Sequence, residues 1–383
     1  MRAPSARGQV APFLAMDVFR EAQQLAAAGR RILHLEVGQP GTMAPALARE
    51  AARRALDEDR LGYTDALGRD GLRIRLAQHY RETYGLDIAP NRFVITTGSS
   101  GGFILAFTAL FSAGEGMGVA VPTYPAYRNL LQALNVEAIS LEASHADRYQ
   151  PTPDLIRAAK KNHGNLTGIM IASPANPTGS MLDRAAMAAV VDACREQGLT
   201  LISDEIYHGL TYDQPAVSAL ELDDEAIVIS SFSKYFSMTG WRIGWMVVPE
   251  RLVRVMERLG QNLFISAPTL SQVAALAALD ARDECEANRQ LYARNRSVLL
   301  AALANSRFGP AAPADGAFYL YVDAAPVSND SGDLCRRLLH EHGLAATPGS
   351  DFDMARGHAA IRLSYAGTED DIAQAAKIIE AWR

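Results

Sequence analysis

The sequence predicts an α/β chain in which a large domain carries a mostly parallel sheet flanked by helices, and both chain ends form a smaller α+β domain. Three observations carry this. Four short apolar runs in the middle of the chain each end at a polar or Gly-rich loop and alternate with amphipathic helical patterns. From about Cys285 onward the pattern changes to helix, then strand, then helix. The length of 383 residues, 49% of them hydrophobic, exceeds what one core serves. The expected boundaries are 46–282 for the large domain, and 1–45 with 283–383 for the small one.

Taken in order, residues 17–29 read as a short helix. The first apolar run, Phe93-Val94-Ile95, leads through Thr97-Gly98-Ser99-Ser100-Gly101-Gly102 into an apolar helix over 103–111. Residues 93–114 carry no charge and are nominally long enough to span a bilayer, but the Thr/Ser/Gly cluster at 96–102 divides them into strand, loop and helix start, so no membrane segment is expected. After Ile169-Met170-Ile171-Ala172, Asp183 is placed to cap a helix. Its Met187, Val190, Val191 and Cys194 follow i, i+3, i+4, i+7, and Gly198 closes it, so Cys194 reads as core. Leu199-Thr200-Leu201-Ile202 and Ile227-Val228-Ile229 complete the strand set. Residues 261–281 are expected to bridge the two domains. Strands at 317–323 and 360–365 follow, and Thr368-Glu369-Asp370-Asp371 reads as a capping box for a last helix with Ile372, Ala376 and Ile379 inside.

Lys plus Arg number 37 and Asp plus Glu 43, a net charge of -6, so the basic footprint of a nucleic-acid binder is missing and a small-molecule partner is expected. Three cysteines without C-x-x-C spacing suggest neither a disulfide framework nor a zinc site. With no sustained apolar run before Asp17, the chain reads as cytoplasmic. His340-Glu341-His342 diverge on a helix and read as solvated surface, so no metal is assigned.

The informative fact is where the loops fall. Asn176, Asp204 and Lys234 each follow an apolar run at intervals of about thirty residues, the length of one βαβ unit. In an open parallel sheet the carboxyl ends of strands line one crevice, so the three are expected to share a site. The 97–102 loop adds small residues and a helix N-terminus, which together cradle a phosphate. It lacks the G-x-G-x-x-G order, and the chain has no Gly-Lys pair, which excludes a Walker A loop. Ser231-Phe232-Ser233-Lys234 and Gly240-Trp241-Arg242-Ile243-Gly244 bring a lysine, hydroxyls and a guanidinium to the same edge. A lysine in a partly dry site attacks carbonyls through its free amine, so the expected cofactor carries an aldehyde and a phosphate.

Asn176-Pro177-Thr178-Gly179, Asp204-Glu205-Ile206-Tyr207 and Ser231-x-x-Lys234 with Arg242, in this order and spacing, resemble the pyridoxal-phosphate-dependent aminotransferases of class I and II, fold type I. The resemblance runs from Gly38 to Arg362. It implies that Lys234 binds pyridoxal 5′-phosphate and shuttles the substrate proton, while Asp204 pairs with the pyridine nitrogen. Tyr207 and Asn176 would bond the ring's phenolic oxygen and Tyr124 stack on its face. Ser99, Ser100, Ser231 and Arg242 match phosphate ligands, and Tyr63 would reach the same phosphate from a second subunit, which implies a homodimer with shared sites. Arg362 matches the arginine that grips the substrate α-carboxylate, with Gly38 and Asn176 beside it. The implied reaction is a ping-pong exchange between an L-amino acid and a 2-oxo acid. Acid-preferring members often carry a lysine where this chain has Ser100, and Phe13, Leu14 and Met16 fall where the N-terminal segment covers the substrate side chain, which favours a neutral or apolar donor.

Three rivals remain open on the sequence. Gly98-Ser99-Ser100-Gly101-Gly102 satisfies the G-x-S-x-G pattern of an α/β-hydrolase with Ser100 as nucleophile and His358 as a partner. A ligand-sensing module of a transcription regulator would need a DNA-binding domain that does not fit before Asp17. The same cofactor chemistry could also serve a carbon–sulfur lyase or a racemase.

Overall fold

The computed structural model describes residues 3–382. A seven-stranded sheet forms from β1 (Phe93–Thr96), β2 (Gly116–Val121), β3 (Glu137–Glu142), β4 (Leu166–Ala172), β5 (Thr200–Asp204), β6 (Ile227–Ser231) and β7 (Gly244–Val247). Their spatial order is β1-β7-β6-β5-β4-β2-β3, all pairs parallel except those made by β7 with β1 and β6. Strands β1, β6 and β7 are buried along their whole length. That is why the sequence of β1 and the start of β6 reads as a continuous apolar run instead of an alternating one.

One face of the sheet is covered by the Gly98–Leu110 helix, whose Phe103, Ala106 and Phe107 pack with Ile229 and Met246. The other face carries Arg184–Glu196, with Met187, Val190, Val191 and Cys194 in the core as their spacing predicts. Asp183 accepts from Ala186 N–H at 2.8 Å and Gly198 takes φ +63°, so both ends of that helix are closed by the residues named from sequence.

Three expectations change. The first helix runs Leu14–Ala27 instead of 17–29 because its cap comes from elsewhere in the chain: Asp351 accepts from Leu14 N–H at 3.2 Å and from Ala15 N–H at 3.1 Å. Residues 261–281 are not a linker. They contain the Thr269–Ala278 helix, which packs on Ala46–Glu58 and puts Ala274, Ala275 and Ala278 into the core under the sheet. The connection is made by Arg282–Ala304, which gives Cys285 to that core and Tyr292, Leu299 and Leu303 to a second one. Only half of the last capping box forms: the Thr368 hydroxyl accepts from Asp371 N–H at 3.2 Å, while the Asp371 carboxylate takes that same hydroxyl's proton and an Arg31 N–H.

The second core surrounds a three-stranded antiparallel sheet of Thr347–Pro348, Ala360–Ser364 and Tyr319–Asp323. Leu33–His34 pairs in parallel with Leu344–Ala345, so the two chain ends meet. No described helix is long and apolar enough to cross a membrane.

Candidate active site

A cavity of about 230 Å³ opens where β4, β5 and β6 end, and residues from both cores line it. At its centre is the Lys234 amine, which donates to the Gly38 carbonyl at 2.7 Å. Burial pushes this amine down to about 8. The Arg362 and Arg242 guanidiniums push the same way, and Asp204 opposes them.

Asp204 is the last residue of β5 and is 4% exposed. Its Oδ1 accepts from Ile206 N–H at 3.0 Å and its Oδ2 accepts from the Tyr127 hydroxyl. Burial pushes the carboxyl up to about 6, with those two hydrogen bonds and the nearby Lys234 pulling it back. Three residues further on, Tyr207 meets Tyr319 hydroxyl to hydroxyl at 2.8 Å, and burial holds the Tyr207 phenol protonated by pushing its pKa well up.

Arg362 comes from the small sheet and is 2% exposed. Its guanidinium lies between the rings of Tyr319 and Phe352, 4.4 and 4.7 Å from their centroids. Nη1 donates to Asn176 Oδ1 at 2.9 Å; Nη2 donates to the Glu36 carbonyl and, at 3.2 Å, to Thr347 Oγ1. Its Nε is buried and unpartnered. Gly38 is required beside it, because a Cβ there would stand 1.8 Å from the Tyr319 hydroxyl oxygen.

At the opposite end, Ser99 and Ser100 occupy the first turn of the Gly98–Leu110 helix, where backbone N–H groups have no helical partner. Arg242 closes on them, donating through Nη1 to the Thr239 carbonyl at 2.9 Å. Gly98 has φ +71°, and a Cβ on it would lie 2.5 Å from Arg242 Nη2. Gly98→Ala is therefore expected to displace Arg242, and a phosphate placed at this end would be held roughly tenfold more weakly, the weight of a charge-assisted hydrogen bond. A titration of the apo-protein with inorganic phosphate or a phosphorylated ligand reads this directly.

A family model described as aminotransferase class I and II matches residues 30–379. The chain belongs to this family. The valine–pyruvate aminotransferase of Mycobacterium tuberculosis is 42% identical over 380 residues, 98% of this chain and 97% of that protein. The crystal structure of an aminotransferase from the same organism superposes with a TM-score of 0.96 at 41% identity, covering 100% of this chain and 99% of the other. The aspartate aminotransferase of Thermus thermophilus with maleate superposes at 0.94 with 30% identity and complete coverage of both chains. Members of this family exchange amino groups between amino and 2-oxo acids with pyridoxal phosphate.

In the aminotransferase, Lys234, Ser99, Ser100, Tyr124, Asn176, Asp204, Tyr207, Arg242, Gly38 and Arg362 all line the one cavity. Leu14, Ser231 and Tyr63, also singled out from sequence, do not. The Ser231 hydroxyl is spent on the Ile243 carbonyl at 3.0 Å and on Ser233 Oγ at 2.8 Å, and it is Ser233 that lines the cavity. The Ser233 N–H also donates to Ser231 Oγ at 3.1 Å, so the two serines are held together at the end of β6. Tyr63 is 83% exposed and outside the cavity of its own chain.

Sequence reasoning missed Tyr127 and Tyr319. Tyr127 lies three residues after Tyr124 at the start of Pro125–Ala133, and that i, i+3 spacing places both rings on one helix face. Tyr319 carried no such signal, because it reaches the cavity on a strand of the other core.

The hydrolase alternative fails on geometry. Ser100 sits inside a regular helical turn instead of on a strained elbow, and no histidine lines the cavity among the described residues. His358 is exposed. His340, on the exposed face of its helix, pairs with Glu21 at 2.6 Å.

Proposed function

We propose that this aminotransferase holds pyridoxal 5′-phosphate through Lys234 and moves the amino group of a neutral L-amino acid, valine or one of similar size, to a 2-oxo acid. The observation that carries this is the shared cavity of Lys234, Asp204 and Arg362, in which a depressed amine stands between a buried carboxylate and a buried guanidinium. The donor set fits the cofactor: a helix N-terminus with Arg242 for its phosphate, Asp204 for its ring nitrogen, Asn176 and Tyr207 for its phenolic oxygen, and the Tyr124 ring for its face. When bound, the cofactor supplies an aldehyde for the amino group and a ring that draws electrons from the substrate α-carbon.

The chain's own residues do the rest. Arg362 takes the substrate α-carboxylate with a planar guanidinium already fixed between two rings. Lys234 Nζ would take the proton from the substrate α-carbon and return it. Asp204 would hold a negative charge against the ring nitrogen's proton. Phe13, Tyr124 and Phe103 keep water from the reacting atoms.

The neutral donor is supported by a charge inventory. Three cations line the cavity among the described residues, Lys234, Arg242 and Arg362, and each already has a role, so none is left for a side-chain carboxylate. Phe13, Met16 and Ile206 supply an apolar wall, and the 42% identical relative is named for valine and pyruvate. Single amino acids mixed with the holoenzyme test this: valine or a similar donor should convert the cofactor's visible band at least tenfold faster than aspartate, and the reverse order would overturn the preference.

A pH profile follows from Lys234. With an amine at about 8, roughly one molecule in ten has it free at pH 7, against ~1 in 2,500 for an ordinary lysine. Capture of the cofactor by the apo-protein should thus quicken about tenfold per unit up to pH 8 and level off above it. A rate still rising at pH 10 would show that burial is not acting on this amine.

The division into 46–282 and the two chain ends belongs to the same reading, with Lys234, Asp204 and Asn176 on the first body and Gly38 and Arg362 on the second. So does a homodimer: Tyr63 lies in a segment that also exposes Met43, Leu47 and Leu56, a surface suited to a second copy that would bring Tyr63 to the neighbour's phosphate. The three buried free thiols, Cys194, Cys285 and Cys335, support a reducing, cytoplasmic setting.

A further inference from the structure

Behind the cavity, two buried side chains take no part in the steps above. Asp204 and Tyr207 face the active site, whereas Glu205 and His208 line a separate cavity of about 350 Å³ together with Tyr84 and Ser230. Glu205 Oε1 accepts from Ser203 Oγ at 3.1 Å, Ser218 Oγ at 3.1 Å and Ala219 N–H at 2.9 Å. Its backbone N–H donates to the Ile229 carbonyl of β6 at 2.8 Å. Its Oε2 is buried, has no hydrogen-bond partner, and faces His208 Nδ1 at 3.6 Å.

His208 Nε2 lies 2.9 Å from the Ser173 carbonyl oxygen. A carbonyl oxygen only accepts, so Nε2 carries a proton, and in the neutral ring Nδ1 is an acceptor. Nδ1 takes the Tyr84 hydroxyl at 2.7 Å. An ionised Glu205 would set an unpartnered anionic oxygen against that lone pair, and a second negative charge one residue from Asp204. A proton on Oε2 removes both conflicts.

We propose that Glu205 and His208 are positioning residues of the cofactor site, an uncharged facing pair that ties the Asp204–Tyr207 turn to β6, to residues 218–219 and, through Ser173, to the segment carrying Asn176. This rests on the reading that the cavity binds pyridoxal phosphate. Burial agrees with the geometry: it pushes Glu205 up to about 7, against its three donors and with Glu221 adding to the rise, and pushes His208 down to about 4. The other ionisable groups around the pair are Glu221 and Asp204, with His79, Tyr80 and Tyr84 on the Asp70–Tyr84 helix. Arg75, Arg282, Glu82, Asp280 and Glu286 line the same rear cavity, and none bonds Oε2.

The test measures two quantities on wild-type protein, Glu205→Gln and Glu205→Ala: the dissociation constant of pyridoxal 5′-phosphate, and the pH midpoint of the bound cofactor's visible absorption. The amide of Glu205→Gln keeps one oxygen for the three donors and presents N–H to His208, so both quantities should stay at the wild-type value. Glu205→Ala should weaken binding roughly 10- to 100-fold, as loss of a supporting residue does at metal sites, and move the midpoint. Wild-type values in the alanine variant would overturn the positioning role. A glutamine variant as weak as alanine would overturn the uncharged pair. If Glu205→Ala does not fold, His208→Asn, too short to reach Ser173, replaces it with the same loss expected and the same overturning result. A wild type that binds no cofactor would overturn the cofactor reading and this inference with it.

Discussion

Lys234→Ala is expected to abolish turnover while leaving the fold intact. On the proposed reading the side chain is both attachment point and base, and loss of a positioned base alone costs roughly 10²–10⁴-fold in rate. The remaining site still offers the phosphate end, Asp204 and Arg362, so the variant should take up pyridoxal phosphate without the lysine-bound visible band. Adding a small primary amine should restore part of the proton transfer. Substantial transaminase activity in this variant would remove Lys234 from the mechanism.

Arg362→Ala is expected to raise KM and lower kcat/KM for every α-amino acid, by about 10²-fold, the weight of two hydrogen bonds to a charged group. The substitution also strips donors from Asn176 Oδ1, the Glu36 carbonyl and Thr347 Oγ1, and opens space between Tyr319 and Phe352. Folding therefore needs its own control. The cofactor's visible band provides it, since Lys234 and Asp204 lie on other elements and should still hold the cofactor. Arg362→Lys should fold better and recover little, because an ammonium neither forks nor stacks. An unchanged kcat/KM in a folded variant would take Arg362 out of the substrate site.

Much of the site was legible because its residues stand at positions with a rule behind them. Asn176, Asp204 and Lys234 follow apolar runs, and a parallel sheet brings the ends of such runs together whatever their distance in sequence. Gly98, Ser99 and Ser100 lie where strand turns into helix, and small residues at a helix start are readable as an anion cradle. The Arg184–Glu196 helix was legible end to end, because its cap, its apolar stripe and its closing glycine are all local.

What the sequence by itself determined is thus the α/β class, the order of its strands along the chain and the lysine, carboxylate and cradle of one site, because period, punctuation and chain direction are properties of neighbours. Tertiary structure alone decided the rest. Asp351 starts the first helix from the far end of the chain, Tyr319 crosses from the second core to sit on Arg362, and Ser231 bonds the Ile243 carbonyl while Ser233 lines the cavity. The shifted protonation of Lys234 and Asp204 belongs here too, since desolvation is a property of everything packed around a group and no local pattern encodes it.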